Sequence, residues 1–142
     1  MNETLQSFQY PDTTVADYEH WVVMVRPVQP TFASAVIAAR SNVRSLADLT
    51  HDEAGQLPAV IDDYEALVQT FGQVRRVNYL ALMMVDPNPH FHAIPRYEES
   101  VSWSGIDFPD RTFPKPPDMM SGVALDGARL GDLAAHMKSA WP

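Results

Sequence analysis

Short apolar runs bounded by prolines begin the pattern of the chain. Residues 13–18 carry β-branched side chains and predict a short edge strand. Residues 21–25 read Trp-Val-Val-Met-Val and predict a strand that ends before Pro27, because proline cannot donate to a β-ladder. The small apolar residues 33–39 fit a helix or a strand by pattern alone. We interpret them as a strand, since a short proline-containing turn then joins the two runs as a hairpin.

A long amphipathic helix is predicted in the middle of the chain, and a capping box marks its start. Thr50 supplies the N-cap, and Glu53 lies three residues later, where its carboxylate can bond back to the cap. Apolar residues then recur at helical spacing as far as Phe71. The sequence therefore predicts one helix here with a single apolar face.

A second hairpin is predicted after this helix. Residues 77–85 are almost continuously apolar, which predicts a central strand buried on both faces. Residues 86–89 read Asp-Pro-Asn-Pro and predict a tight turn. Residues 90–94 then return as a strand antiparallel to 77–85, bounded by proline on both sides.

The last third of the chain divides into a loop and a helix. Residues 98–124 are rich in proline and aromatic side chains, and we interpret them as an ordered loop packed on the body, with a mobile segment as the alternative. Residues 126–141 predict a short amphipathic helix. Its apolar face consists of Leu130, Leu133, Ala134 and Met137.

Taken together, the elements predict an α+β domain. The order strand, strand, helix, strand, strand, helix indicates an antiparallel β-sheet with one long helix packed on it and a short C-terminal helix. A length of 142 residues predicts a single domain over 1–142. Residues 1–12 are polar and are expected to form a flexible lead-in.

Composition and charge exclude several classes of function. The net charge of −8 argues against general nucleic-acid binding, which normally needs a basic face. The lack of cysteine rules out disulfides and thiolate metal sites. No apolar run approaches the roughly 20 residues that a membrane span needs, and the first twelve residues lack a signal-peptide pattern. We therefore expect a cytoplasmic protein without membrane contact.

Two histidines on the predicted 90–94 strand are the candidate chemical groups. Alternate residues of a strand share a face, so Asn88, His90 and His92 are expected to lie in a row on one side of the sheet. Taken alone, such a pair is more often structural than catalytic. The residues around the pair therefore determine whether it is interpreted as catalytic or structural.

Residues 88–97 resemble the signature strand of the histidine triad (HIT) family, His-x-His-x-His followed by Pro-Arg. His90 matches the middle histidine, His92 matches the last, and Pro95-Arg96-Tyr97 matches the usual tail. Asn88 stands where the first histidine is expected, so the triad is degenerate. The resemblance extends over residues 21–97, through the two hairpins and the helix between them.

The resemblance implies a HIT-like fold and an enzyme that needs no cofactor. Members of the family hydrolyse or transfer the α-phosphate of nucleotidyl conjugates, such as dinucleoside polyphosphates and nucleoside phosphoramidates, through a covalent nucleotidyl-histidine. His90 would be the nucleophile, and His92 would fix its ring or bind a phosphate oxygen. Asn88 and Arg96 would contact the substrate. We expect the His90 ring to project into an open anion-binding cleft.

The resemblance also implies a homodimer, and the predicted helix and the 77–85 strand are the natural interface elements. The substrate would be a small nucleotide, and no further macromolecular partner is implied.

Departures from the family pattern support one alternative. Asn88 can donate to a phosphate but cannot carry a proton. Met84 offers no donor where the family often has asparagine or glutamine, and Asn42 stands where relatives tend to show histidine. These departures are compatible with a nucleotide-binding protein of the same fold that has no turnover.

A third hypothesis is a His-x-His metal site on a β-barrel, since two imidazoles on one strand face are good first ligands for zinc or iron. The third ligand would have to come from Glu98, Glu99 or His20. The long capped helix argues against a barrel. Our primary expectation therefore includes no metal.

Overall fold

The computed structural model of the protein describes residues 2–142. The helices are α1 (Glu3–Ser7), α2 (His51–Gln69) and α3 (Gly127–Ala140), and a 3-10 turn spans Leu46–Asp48. The strands are β1 (Thr14–Asp17), β2 (Trp21–Val25), β3 (Val28–Gln29), β4 (Ala35–Ala39), β5 (Val74–Leu80), β6 (His90–Tyr97), β7 (Val101–Trp103), β8 (Ile106–Phe108) and β9 (Val123–Ala124).

A five-stranded antiparallel sheet forms the centre of the molecule, with the strand order β1-β2-β4-β6-β5. Two small ribbons accompany it, β3 with β9 and β7 with β8. The predicted α+β class, the antiparallel sheet, the long helix and the C-terminal helix are confirmed. Both predicted hairpins are present, since β2 pairs with β4 and β5 pairs with β6.

One face of the sheet is covered by α2 and α3. Thr50 and Glu53 form the predicted capping box at the start of α2. The Tyr64 hydroxyl of α2 donates to the carbonyl of Ala33 at 2.7 Å, which ties the helix to the sheet. The α3 residues that face the sheet are the predicted set: Leu130, Leu133, Ala134 and Met137. Within residues 2–142, no helix combines the length and the apolar character that crossing a bilayer requires.

The opposite face is covered by α1, where the sequence indicated a flexible lead-in. Leu5 and Phe8 pack on the apolar side chains that this face presents. Thr4 is fully buried and bonds to Asn88 through both its amide and its hydroxyl. A helix of five residues is too short to give a periodic signal, so the sequence pattern could not reveal it. Met1, the first residue of the expected lead-in, lies outside the described residues.

The predicted central strand is an edge strand. β5 pairs only with β6, ends at Leu80 and is half-exposed. Residues 81–89 form a longer connection to β6 in place of the expected tight turn. Met84 and Val85 are 94% and 89% exposed on this connection. The continuous apolar run predicts burial, but among residues 2–142 nothing covers these two side chains.

The segment 98–124 contains its own secondary structure and packs on the body. The β7–β8 hairpin brings Phe108 against Phe32, with ring centroids 5.0 Å apart, and Trp103 lies beside them. The β9 strand returns to pair with β3. As a result Met119 and Met120, near the end of the segment, line the same cavity as His92.

Candidate functional site

The two histidines of β6 lie side by side on the face covered by α1. His90 pairs with Ala38 and His92 pairs with Val36 on the neighbouring β4. The two imidazole rings meet edge to face, with centroids 5.1 Å apart. The alternation of the strand therefore produces the row of imidazoles that the sequence predicted.

The His90 ring is held in one orientation by the main chain. Its Nδ1 lies 2.7 Å from the carbonyl oxygen of Asn88. A carbonyl can only accept a hydrogen bond, so in the neutral ring the proton lies on Nδ1 and the lone pair lies on Nε2. Nε2 is buried and has no hydrogen-bond partner among residues 2–142. This is the tautomer that a histidine nucleophile requires.

His90 is not exposed to solvent, so the expected open cleft at this ring is absent. The side chain has 0% exposure. Phe8, which follows α1, covers both imidazoles, and its ring centroid lies 6.0 Å from that of His90 and 5.7 Å from that of His92. The expectation failed because spacing along a strand defines a face but does not reveal what covers it. Any route from solvent to His90 therefore requires a change in the packing around this ring.

His92 lies between His90 and an open cavity of about 490 Å³. Burial, and then the positive charge of Arg26 and the neighbouring His90, lower the pKa of His92 to about 4. The ring is therefore neutral at pH 7. Its Nδ1 is buried without a hydrogen-bond partner in the protein. The cavity beside it is lined by Arg26, Asp86 and an apolar wall of residues 81–85, Met119 and Met120.

The side chain of Asn88 is used inside the protein. Its amide nitrogen donates to the carbonyls of Asn42 at 3.2 Å and Val43 at 2.9 Å. Its amide oxygen accepts from the Thr4 main-chain nitrogen at 3.2 Å. Both amide protons are therefore occupied, and the predicted contact between Asn88 and substrate has no free donor. The main-chain carbonyl oxygen of Asn88 instead accepts the hydrogen bond that orients the His90 ring.

Arg96 is likewise engaged away from the histidines. Its guanidinium makes a two-pronged ion pair with Asp110, at 2.7 and 3.1 Å, and both side chains are buried. It also donates to Asn78, Thr112 and the carbonyl of Lys115. These partners neutralise its charge and fasten the segment 98–124 to β6. The predicted phosphate contact by Arg96 has no support in this arrangement.

Sequence reasoning missed two residues of the site, Arg26 and Phe8. Arg26 follows β2, and strand alternation places it on the same face as Met24, whose register partner Val36 lies beside His92. This alternation was a usable signal for Arg26. No sequence signal connects Phe8 to the histidines, because only the packing of α1 brings them together.

The residues proposed as metal ligands do not converge. Across residues 2–142, no group of three or more histidine, cysteine, aspartate or glutamate side chains is arranged to hold a metal ion. His20 lies next to Glu19, and Glu98 pairs with Arg75. The metal hypothesis therefore lacks the third ligand that it required.

Comparison with known proteins gives likeness in fold only. No family model and no curated protein sequence matches the chain. A histidine triad protein from Sinorhizobium meliloti matches with a TM-score of 0.71 and 15% identity, covering 99% of this chain and 95% of that chain. One from Bradyrhizobium japonicum has a TM-score of 0.67 and 17% identity, with 91% and 90% covered. A hypothetical histidine triad nucleotide-binding protein from Sulfolobus tokodaii has a TM-score of 0.68 and 10% identity, with 96% and 88% covered.

Proposed function

Because the chain has the fold of the histidine triad proteins, we propose that it binds nucleotides and hydrolyses or transfers the α-phosphate of nucleotidyl conjugates through His90. The observation that carries this proposal is the hydrogen bond from His90 Nδ1 to the carbonyl of Asn88, which leaves Nε2 with a free lone pair. The two residues that the family resemblance implies as catalytic, His90 and His92, are adjacent. The substrates we propose are dinucleoside polyphosphates and nucleoside phosphoramidates.

In the first step His90 Nε2 attacks the α-phosphorus of the substrate. The new N–P bond forms while the bond from phosphorus to the leaving group breaks, and its electron pair departs with the leaving group. The ring gains positive charge as it donates its lone pair. The Asn88 carbonyl stabilises that charge through the Nδ1 proton.

In the second step water attacks the phosphorus of the nucleotidyl-histidine. The N–P bond breaks, its electron pair returns to Nε2, and a nucleoside monophosphate and a proton are released. His92 is neutral at pH 7 and can donate its one N–H to a phosphate oxygen. Splitting one displacement into two steps in this way lowers each barrier.

The cover over His90 adds a conformational step. Phe8 must leave the imidazoles before a phosphate can come within reach of Nε2, since the ring has no exposed surface. Asn2 and Thr4 are bonded to Ala39, Ser41 and Asn88, so the proposed movement is that of the Phe8 side chain while α1 stays in place. We propose that the open form binds substrate and that the closed form is the resting state.

The test is release of nucleoside monophosphate from diadenosine tetraphosphate and from adenosine phosphoramidate. We expect His90→Ala to abolish release, while the matched variant His51→Ala, at an exposed helix start, keeps the wild-type rate. Intact-protein mass spectrometry should detect a covalent nucleotidyl adduct in the wild type that His90→Ala lacks. If the wild type and His90→Ala are equally inactive on a broad panel, the enzymatic proposal fails.

A second candidate is nucleotide binding without turnover. It is favoured by one observation, the complete burial of His90 under Phe8. Calorimetry with adenosine monophosphate separates the candidates, because binding without any product formation identifies the non-catalytic protein. Failure to bind at millimolar concentration contradicts both candidates.

We further propose that the protein is a cytoplasmic homodimer. The supporting feature is β5, an edge strand of seven residues whose outer side carries no pairing within residues 2–142. Long unprotected edges are normally covered, by a partner or otherwise. Light scattering after size exclusion measures the mass, for which the dimer predicts twice 15.9 kDa. A mass of one chain at micromolar concentration contradicts the dimer.

A further inference from the structure

Arg26 is a buried cation whose charge no carboxylate in the protein neutralises. Its side chain is only 9% exposed. Among residues 2–142 the ion pairs do not include it, although Asp86 lies on the wall of the same cavity. Buried arginines are normally paired, because an isolated charge in the interior is costly. Arg26 is therefore a buried cation without a counter-ion, which is the arrangement expected of an anion-binding residue.

The hydrogen bonds of Arg26 leave donors available. One Nη donates to the carbonyl of Met119 at 3.0 Å, and the other lies 3.9 Å from the Met119 sulfur, which is a weak acceptor. Its Nε has no partner in the protein. Burial also lowers the pKa of Arg26.

His92 provides a second unsatisfied group in the same cavity. It is 7% exposed, and its Nδ1 has no protein partner. Arg26 and His92 both line this cavity. One anion at this place would accept hydrogen bonds from both side chains. His92 in turn adjoins His90, so the anion would lie next to the proposed nucleophile.

The rim of the cavity is apolar and exposed. Met84, Val85 and Met120 are each largely exposed there, and Leu82 is about half-exposed. Methionine side chains adapt their shape and make favourable contacts with aromatic rings. The cavity thus has a cationic floor and a flexible apolar rim.

We propose that Arg26 and His92 form the phosphate-binding floor of this cavity and that the methionine rim, defined as Met84 and Met120, packs on an aromatic ring attached to that phosphate. The ligand class is a phosphate ester or anhydride with an aromatic body. This inference deepens the proposed function and rests on it for the identity of the transferred group. It assigns to Arg26 the role that sequence resemblance gave to Arg96.

The test uses two probes, methyl phosphate and phenyl phosphate, with affinities measured by NMR titration of the full chain. We expect the wild type to bind phenyl phosphate several-fold more tightly. Arg26→Met should weaken both probes by roughly 10- to 100-fold, the usual effect of losing a charge-assisted hydrogen bond. The matched control is Arg129→Met, an exposed arginine on α3 that should leave both affinities unchanged.

The rim is tested separately. Replacing Met84 and Met120 together by serine should lower the affinity for phenyl phosphate to that for methyl phosphate and leave the latter unchanged. If the double variant weakens both probes equally, the aromatic assignment is overturned. If Arg26→Met binds both as tightly as the wild type does, the phosphate floor is overturned.

One measurement needs no variant, which matters because Arg26→Met also loses the bonds to Met119. The Nε–H signal of Arg26 and the ring signals of His92 should shift together when methyl phosphate is added to the wild type. If neither signal moves up to tens of millimolar probe, the inference fails even where nucleotides are hydrolysed. Conversely, probe binding that depends on Arg26, without turnover of any nucleotide, sustains the anion site and contradicts the enzyme.

Discussion

Removing the Phe8 side chain should expose His90 while the rest of the site stays intact. The Phe8 ring covers both imidazoles, with centroid distances of 6.0 and 5.7 Å, and it is only partly buried. Truncating a fully buried phenylalanine costs about 3–5 kcal/mol, so for this half-buried ring we expect about 1–2 kcal/mol. The Thr4–Asn88 bonds still hold α1 in place.

This loss falls on the closed form alone, because in the open form Phe8 makes no contact with the histidines. Since about 1.4 kcal/mol corresponds to a factor of ten in an equilibrium, Phe8→Ala should raise the open population roughly 5- to 30-fold. If opening limits access, the reactivity of His90 rises by the same factor. The change should be visible with or without substrate turnover.

The assay is the rate of carbethoxylation by diethyl pyrocarbonate, read for each histidine by peptide mass spectrometry. His51 is exposed at the start of α2 and serves as an internal reference within the same molecule. In the wild type the reagent should modify His51 much faster than His90, and in Phe8→Ala the difference between these two rates should be smaller. Phe8→Leu keeps most of the apolar contact and should stay within about threefold of the wild type.

Two results would refute the reasoning. An unchanged His90 rate in Phe8→Ala would show that something other than this ring seals the imidazole. A wild-type His90 rate equal to that of His51 would show that the closed arrangement does not persist in solution.

Three further predictions concern the groups around the site. Asn88→Ala should lower the free energy of unfolding by about 2–4 kcal/mol, because the Asn88 side-chain amide donates to two main-chain carbonyls. The exposed Asn42→Ala keeps the main-chain carbonyl that accepts one of these bonds and should change the free energy of unfolding by less than about 0.5 kcal/mol. Urea titrations measure both values. Because the pKa of His92 is about 4 in the folded chain and about 6.5 when unfolded, the unfolded state alone takes up this proton as pH falls between these values. The protein should therefore lose stability as the pH falls through this range, and the loss should be absent in His92→Gln. An NMR titration of His92 in the folded protein with a midpoint near 6.5 would contradict this prediction. Arg96→Met should lower the free energy of unfolding by about 3–5 kcal/mol, because it leaves the buried Asp110 carboxylate unpaired. Arg75→Met removes an exposed ion pair and should lower it by less than about 1 kcal/mol. Similar losses in the two variants would show that burial of the Arg96 pair is unimportant.

The predictable part of the fold is the part in which neighbouring residues carry their own pattern. The α2 helix could be predicted from its capping box and apolar stripe, and β2 from a compact apolar run that ends before Pro27. The pattern of residues 33–39 alone fitted a helix or a strand, and the hairpin with β2 indicated the strand β4. The apolar face of α3 was also predicted residue by residue. In the two helices burial repeats with the period of the element, so a short window contains the information.

The unpredicted part depends on contacts between residues far apart in the sequence. Thr4 and Asn88 are 84 positions apart, and no local pattern announces their two hydrogen bonds. Arg96 carries the sequence context of a phosphate ligand, but Asp110, which neutralises it, lies in a segment without periodicity. Arg26 differs only in having no such acidic partner. Which of two arginines is free to bind an anion is a tertiary property.

Asn88 stands where the family signature has its first histidine, and this difference does not in itself change the tautomer of the His90 ring. The group that selects the tautomer is the main-chain carbonyl at position 88, which is present whatever side chain the residue carries. The side chain has a different task, since it bonds Thr4 and so holds the N-terminal cover over the imidazoles. The side chain at this position thus bears on access to His90 more directly than on the tautomer of its ring. A variant such as Asn88→His should therefore be judged first by the exposure of His90, and only then by the rate of phosphate transfer.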